Sequence, residues 1–239
     1  RSMLLGMAVL VFMSIGSAAN GALVSNYKFD GDLTDSVGGA SATPWVGATN
    51  FSAGQLGQGI AINNNSGNVR VQSGGAWSGN AVANNNVAFS FWQKDPGPDS
   101  NSTSFFGVSP TASGGQRGAQ AHVPWSNGRV YWDTAGCCNG GSQRQDFGGQ
   151  GGLINDGNFH HFVFQKNGNL KEVWIDGNLV NSKNNTGALL AFTDLVIGSG
   201  QANGNPNNYL SNNANNTAII DDFAVWDIAL TGSEIQEIG

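Results

Sequence analysis

Short apolar runs recur along the whole chain, each fenced by Gly, Asn and Ser. They fall at 23–29, 59–63, 69–72, 87–93, 105–109, 129–133, 159–166, 171–176, 195–198 and 218–227. Runs this short cannot build helices that bury a face, but they match the usual strand of about 5–6 residues. The 36 glycines and 30 asparagines supply turns, because both residues tolerate positive φ. Gly177-Asn178, between 171–176 and 179–181, is a strong hairpin signal. The expected class is all-β, a two-sheet antiparallel sandwich or jelly roll.

The end of the chain refines this. Ile219-Ile220-Asp221-Asp222-Phe223-Ala224-Val225-Trp226-Asp227 is apolar on both faces of a period-2 strand, as expected of a strand covered on two sides. Alternation assigns Ile220, Asp222, Ala224 and Trp226 to one face, and Ile219, Asp221, Phe223 and Val225 to the other. Two carboxylates in such a place need a cation, a backbone N–H or a metal. Thr231-Gly232-Ser233-Glu234 fits a capping box and predicts a short C-terminal helix.

At 239 residues, one large β domain over 23–239 is the economical organisation. The net charge is −6, and the ten basic residues are scattered singly along the sequence, which argues against nucleic acid as a partner. Residues 1–22 read as a secretory leader. Arg1 precedes an apolar run from Met3 to Ile15, and small residues follow, with cleavage expected after Ala19 or Ala22. The run is short for a membrane span and the mature chain has no other, so the expected location is secreted or cell surface.

Four blocks resemble the laminin G-like, concanavalin A-like jelly-roll domains of secreted bacterial proteins. They are Tyr27-Lys28-Phe29-Asp30-Gly31-Asp32-Leu33-Thr34-Asp35, then Gly57-Gln58-Gly59-Ile60-Ala61-Ile62, then Phe159-His160-His161-Phe162 through Val173-Trp174-Ile175-Asp176-Gly177, and the closing strand with its helix. Their order carries the likeness. It implies two stacked antiparallel sheets, often a structural Ca²⁺, and a binding role more often than catalysis.

Ca²⁺ needs six to eight hard oxygens. Asp30 and Asp222, with Asp35, are the expected ligands, because the likeness makes the first and last strands neighbours. The EF-hand spacing is absent. The competing reading is that these carboxylates cap turns.

Cys137-Cys138 is expected to oxidise to an adjacent disulfide in an exported chain. Neighbouring Cα atoms, about 3.8 Å apart, lie closer than most disulfides allow, so the loop would be stiff. Trp132, Cys137, Cys138, Arg144 and Trp125 form the expected sugar-binding set, an aromatic and sulfur surface beside a cation. A purely structural staple is the alternative. Trp45 and Trp77 also lie near turns, whereas Trp92, Trp174 and Trp226 sit in strands. His160 and His161 alternate across a strand and cannot chelate one metal together, and His122 has no motif around it.

No catalytic residue is assigned. A retaining glycosidase needs two carboxyls about 5–5.5 Å apart, and the only glutamates are Glu172, Glu234 and Glu237. The expected function is an exported polysaccharide-binding or adhesion module. The alternative is a divergent glycan hydrolase or lyase on the same fold.

Overall fold

The computed structural model describes residues 22–37, 39–63, 67–72, 75–95, 103–125, 127–201, 209–210 and 217–239. The leader expected over 1–22 lies, except for its last residue, outside the described residues. In chain order the elements begin with β1 (Leu23–Tyr27), β2 (Thr43–Val46), β3 (Asn50–Ala53), β4 (Gln58–Asn63), β5 (Asn68–Gln72) and helix α1 (Gly75–Asn84). Next come β6 (Asn86–Lys94), β7 (Thr103–Val108), the short turn α2 (Ser113–Gln116), β8 (Arg117–His122), β9 (Val130–Thr134), β10 (Arg144–Phe147) and α3 (Gly151–Ile154). The chain closes with β11 (Phe159–Asn167), β12 (Leu170–Ile175), β13 (Asn178–Asn184), β14 (Asp194–Ile197), β15 (Gly200–Gln201), β16 (Tyr209–Leu210), β17 (Thr217–Trp226) and α4 (Gly232–Ile238).

Two antiparallel sheets stack as expected. One runs β13-β12-β11-β6-β17-β4-β3, with β1 beside the second half of β17; the other runs β10-β9-β8-β7-β14-β5-β2. Alternate residues of both fill the space between them. Phe91 lies 5.5 Å from Phe223 and 5.6 Å from Phe162, and Phe89 lies 4.5 Å from Phe105, all fully or almost fully buried. Each such side chain contributes roughly 1.5–3 kcal/mol on burial.

Two local expectations are corrected. The β12–β13 turn is Asp176-Gly177, with φ of 49° and 72°, one residue earlier than Gly177-Asn178. Both central residues need positive φ in this twist-matched turn, and Asp-Gly satisfies it. In β17, strict alternation fails. A bulge between Asp221 and Ala224, with Asp222 at φ 45°, shifts the register, so Ile220, Phe223 and Val225 all face the core.

The first and last strands are neighbours, with Tyr27 opposite Phe223. Helix α4 carries the full capping box: Thr231 N donates to the Glu234 carboxylate at 2.7 Å, and Glu234 N donates to Thr231 Oγ1 at 3.3 Å. Its Ile235 packs with Ala88, Val163, Leu230, Trp174 and Trp226 on the outer face of the first sheet. Among the described residues, no helix is long and apolar enough to cross a membrane.

Candidate functional site

Strands β8, β9 and β10 form one margin of the second sheet. Ala119, Ala121, Val130, Trp132 and Phe147 join the core. The alternate residues His122, Tyr131, Asp133 and Arg144 therefore fall on the opposite face. Register sets His122 beside Tyr131, and Asp133 beside Arg144. The result is a pocket of about 230 Å³ lined by Arg117, His122, Trp125, Tyr131, Cys138 and Arg144.

Its aromatic wall is tightly arranged. The His122 ring centre lies 4.3 Å from Trp125 and 6.1 Å from Tyr131, and its Nδ1 is 2.9 Å from Thr103 Oγ1. Trp125 is held by a turn in which its N–H donates to the Arg129 carbonyl and its own carbonyl accepts from Gly128 N. Gly128 has φ 72°, a conformation that suits glycine.

The charged wall is built around Asp133, which is fully buried beneath the pocket. Arg144 donates to it in bidentate fashion, Nε to Oδ1 at 2.7 Å and Nη2 to Oδ2 at 2.6 Å. The same guanidinium lies 4.6 Å from the Tyr131 ring centre, and its Nη2 is 3.2 Å from Cys137 Sγ. Burial opposes the Arg144 charge, but Asp133 overcomes it and raises the pKa. Arg117 is only 3.8 Å from Asp133 Oδ2, and its pKa is lowered, chiefly by burial. Cys137 and Cys138 are joined as a disulfide, with Cys138 exposed at the mouth. The Asn139 side chain accepts from Gly141 N and Ser142 N and ties down the following turn.

Lys171 crosses the sandwich from the first sheet. Its Nζ donates to the carbonyls of Trp132 at 3.1 Å and Gln143 at 2.7 Å, the residues just before Asp133 and Arg144. Burial pulls its pKa well down, and the Asp133 charge opposes that shift. Arg117, Arg144 and Lys171, far apart in sequence, are thus drawn to one region by the fold.

A second pocket, of about 320 Å³, lies on the outer face of the first sheet, where Trp92, Trp226, His161, Ser90, Leu23 and Asp222 help line it. His161 stands 5.1 Å from Trp92, and burial pulls its pKa down to about 4. His160 is held apart by Asp176 at 2.7 Å and Asp156 at 3.1 Å.

The expected calcium ligands separate into two groups. The Asp222 carboxyl is pushed up to about 6, by burial first, then by Asp221 and Asp30. Asp30 Oδ1 accepts from Gln58 N at 2.8 Å, and Asp221 accepts from Leu56 N at 2.9 Å. A divalent cation beside Asp222 would relieve the repulsion from Asp221 and Asp30, and carboxylate oxygens are the donor type that Ca²⁺ takes. Asp35 does not join it. Its Oδ1 accepts from Asn26 N and Val37 N, both at 2.9 Å, which makes it the cap of the first turn. Among the described residues, no group of three or more His, Cys, Asp or Glu is spaced to hold a metal.

A family model described as the concanavalin A-like lectin/glucanases superfamily, of the laminin G type, matches residues 63–236. The chain belongs to that superfamily. No curated protein matches its sequence. Among solved structures it is similar to domain 4 of AbnA, a GH43 extracellular arabinanase from Geobacillus stearothermophilus, in complex with arabinotriose. Identity there is 18%, with 91% of this chain and 98% of the other covered and a TM-score of 0.65. It is also similar to the binding domain of botulinum neurotoxin DC in complex with SialylT (15% identity, 92% and 51% covered, TM-score 0.67). The binding domain of Paraclostridial Mosquitocidal Protein 1 is similar as well, at 15% identity, 90% and 51% covered and TM-score 0.64. The chain spans about half the length of these toxin domains. At such identities the likeness is one of fold.

In this concanavalin A-like domain, the sequence-predicted Trp125, Cys138 and Arg144 line one pocket, and Cys137 touches Arg144. Trp132 is a correction. It is fully buried, 5.9 Å from both Phe89 and Phe105, and has no face to offer a ligand. Its parity with Val130 on one strand turns it inward. Arg117, His122 and Tyr131 were missed; the available signal was the outward parity of His122 and Tyr131 on adjacent strands.

Proposed function

We propose that this chain is an exported glycan-binding module whose saccharide site is the pocket on β8, β9 and β10. One observation carries the reading: Trp125, His122 and Tyr131 form an aromatic wall beside the fixed guanidinium of Arg144, in a pocket sized for one sugar unit. Aromatic faces stack on the apolar face of a pyranose, while oriented donors satisfy its hydroxyls. The arabinotriose complex of a domain with the same fold supports the ligand class. Asp133 favours binding over hydrolysis here, because both its oxygens are engaged by Arg144 and it is not placed as a proton donor or nucleophile. We also propose that Ca²⁺ is held by Asp30 and Asp222 as a structural ion, completed by other oxygens.

The test is a glycan array read in parallel with reducing-sugar release. Binding without release is expected, and Trp125→Ala is expected to abolish it. Release of reducing ends would replace this reading with the hydrolase. Binding untouched by Trp125→Ala would move the site elsewhere.

A further inference from the structure

The pocket holds more positive charge than its own carboxylate balances. Two guanidiniums, Arg117 and Arg144, share the single carboxylate of Asp133. The excess of one positive charge at this carboxylate stands in a protein of net charge −6. The neighbouring Arg129 is already matched to Asp146 at 2.6 Å and adds nothing to the excess.

The partners are unequally shared. Arg144 takes both oxygens of Asp133. Arg117 gets a 3.8 Å approach to the same carboxylate and a 3.9 Å approach to Cys138 Sγ, and its Nε is buried with no hydrogen-bond partner. A half-buried cation that shares its only nearby carboxylate with a better-placed guanidinium is undersatisfied, and an unmade bond to a charged group costs more than one to a neutral group. Arg117 and Arg144 are both on the lining, so an anion entering the pocket reaches two guanidiniums. A planar guanidinium is shaped for carboxylate or sulfate oxygens.

Building on the glycan reading, we infer that the pocket selects an acidic sugar, a uronate or a sulfated residue, whose anion docks on Arg117 while its ring lies against Trp125. At about 230 Å³ the pocket is smaller than the roughly 300–1,000 Å³ of sites for drug-sized ligands. It therefore accepts one residue, at a chain end or branch, and does not thread a polymer. Charge draws the ligand in, and the aromatic wall supplies the remaining contact.

The experiment compares four probes by titration calorimetry: trigalacturonate, its carboxyl-reduced neutral counterpart, a sulfated galactan trisaccharide and arabinotriose. Trigalacturonate or the sulfated probe is expected to bind at least about tenfold more tightly than either neutral sugar, with an affinity that falls as salt rises. Whichever of the two binds more tightly identifies the anion. Arg117→Gln should erase the preference of the acidic probe over its carboxyl-reduced counterpart, and Arg117→Lys should restore part of it. If Arg117→Gln fails to fold, the wild-type comparison of the acidic probe with its reduced counterpart still decides. Equal binding of acidic and neutral probes overturns the charge inference and leaves the glycan reading standing. No binding of any probe overturns both.

Discussion

The two outer faces of the sandwich each present a pocket where a histidine leans on a tryptophan, His122 on Trp125 at 4.3 Å and His161 on Trp92 at 5.1 Å. Their surroundings differ. On β8, β9 and β10 the floor is a guanidinium–carboxylate network with an excess of cations, and an exposed disulfide forms the mouth. On the first sheet the wall is apolar, α4 packs alongside, and His161 has no hydrogen bond at Nδ1. The same aromatic pair therefore serves two ends. In one it flanks a polar recess suited to a ligand, and in the other it belongs to the outer packing of the fold.

The largest effect expected from this contrast lies under the first pocket. Asp133→Ala removes a fully buried carboxylate and leaves the half-buried Arg144 guanidinium without its bidentate partner, and should cost about 3 kcal/mol, read by denaturant unfolding. A loss below about 1 kcal/mol would mean that the network is not what organises that face.

The second pocket should announce itself through pH. Burial holds His161 at about 4 against an ordinary 6.5, so the folded state resists its protonation. Its contribution is full above about pH 6.5 and is lost as pH falls toward 4, by about 3 kcal/mol. His160 works in the opposite sense, since Asp176 and Asp156 hold its pKa up against burial. The comparison is accordingly between the wild type and His161→Gln: the variant should lose the acid-side slope. An unchanged melting profile would place His161 in water.

The proposed Ca²⁺ site borders the same pocket, through Asp222. Added Ca²⁺ after chelation should raise the melting temperature, by about 2.7 kcal/mol of stability when the ion stands at about 100 times its Kd. Asp222→Asn should remove that response and leave saccharide affinity at the other pocket unchanged. No response in the wild type removes the ion from the molecule.

The smallest effect concerns α4. Thr231→Ala breaks the capping box beside the second pocket and should cost about 1 kcal/mol without changing ligand binding. A change in saccharide affinity would couple the two faces and blur the distinction between them.

The strands and the capped helix were legible because they rest on local signals: short apolar runs, Gly and Asn at turns, and the Thr231–Glu234 spacing; the adjacency of the first and last strands was implied only by the family likeness. The site was legible in part. Trp125, Arg144 and the cysteines lie close in sequence and fold together. Arg117, His122 and Lys171 join them only through strand register, which spacing along the chain does not reveal. Two errors have a common source. The inward turn of Trp132 follows from its parity with Val130 on one strand, whereas its nearness to the cysteine loop in sequence points the other way. In β17 the parity itself was broken, since nothing local marks a bulge at a non-glycine residue such as Asp222.

The pairing of β1 with β17 has a mechanical consequence. Leu23 stands opposite Trp226, so the outermost ends of the two strands emerge side by side. A load applied through both termini, once α4 has unravelled, would peel β1 away one rung at a time and would not shear all its rungs together. The domain should therefore yield at low force when stretched end to end, while a pull delivered through a saccharide seated on the opposite sheet would be borne by many rungs at once.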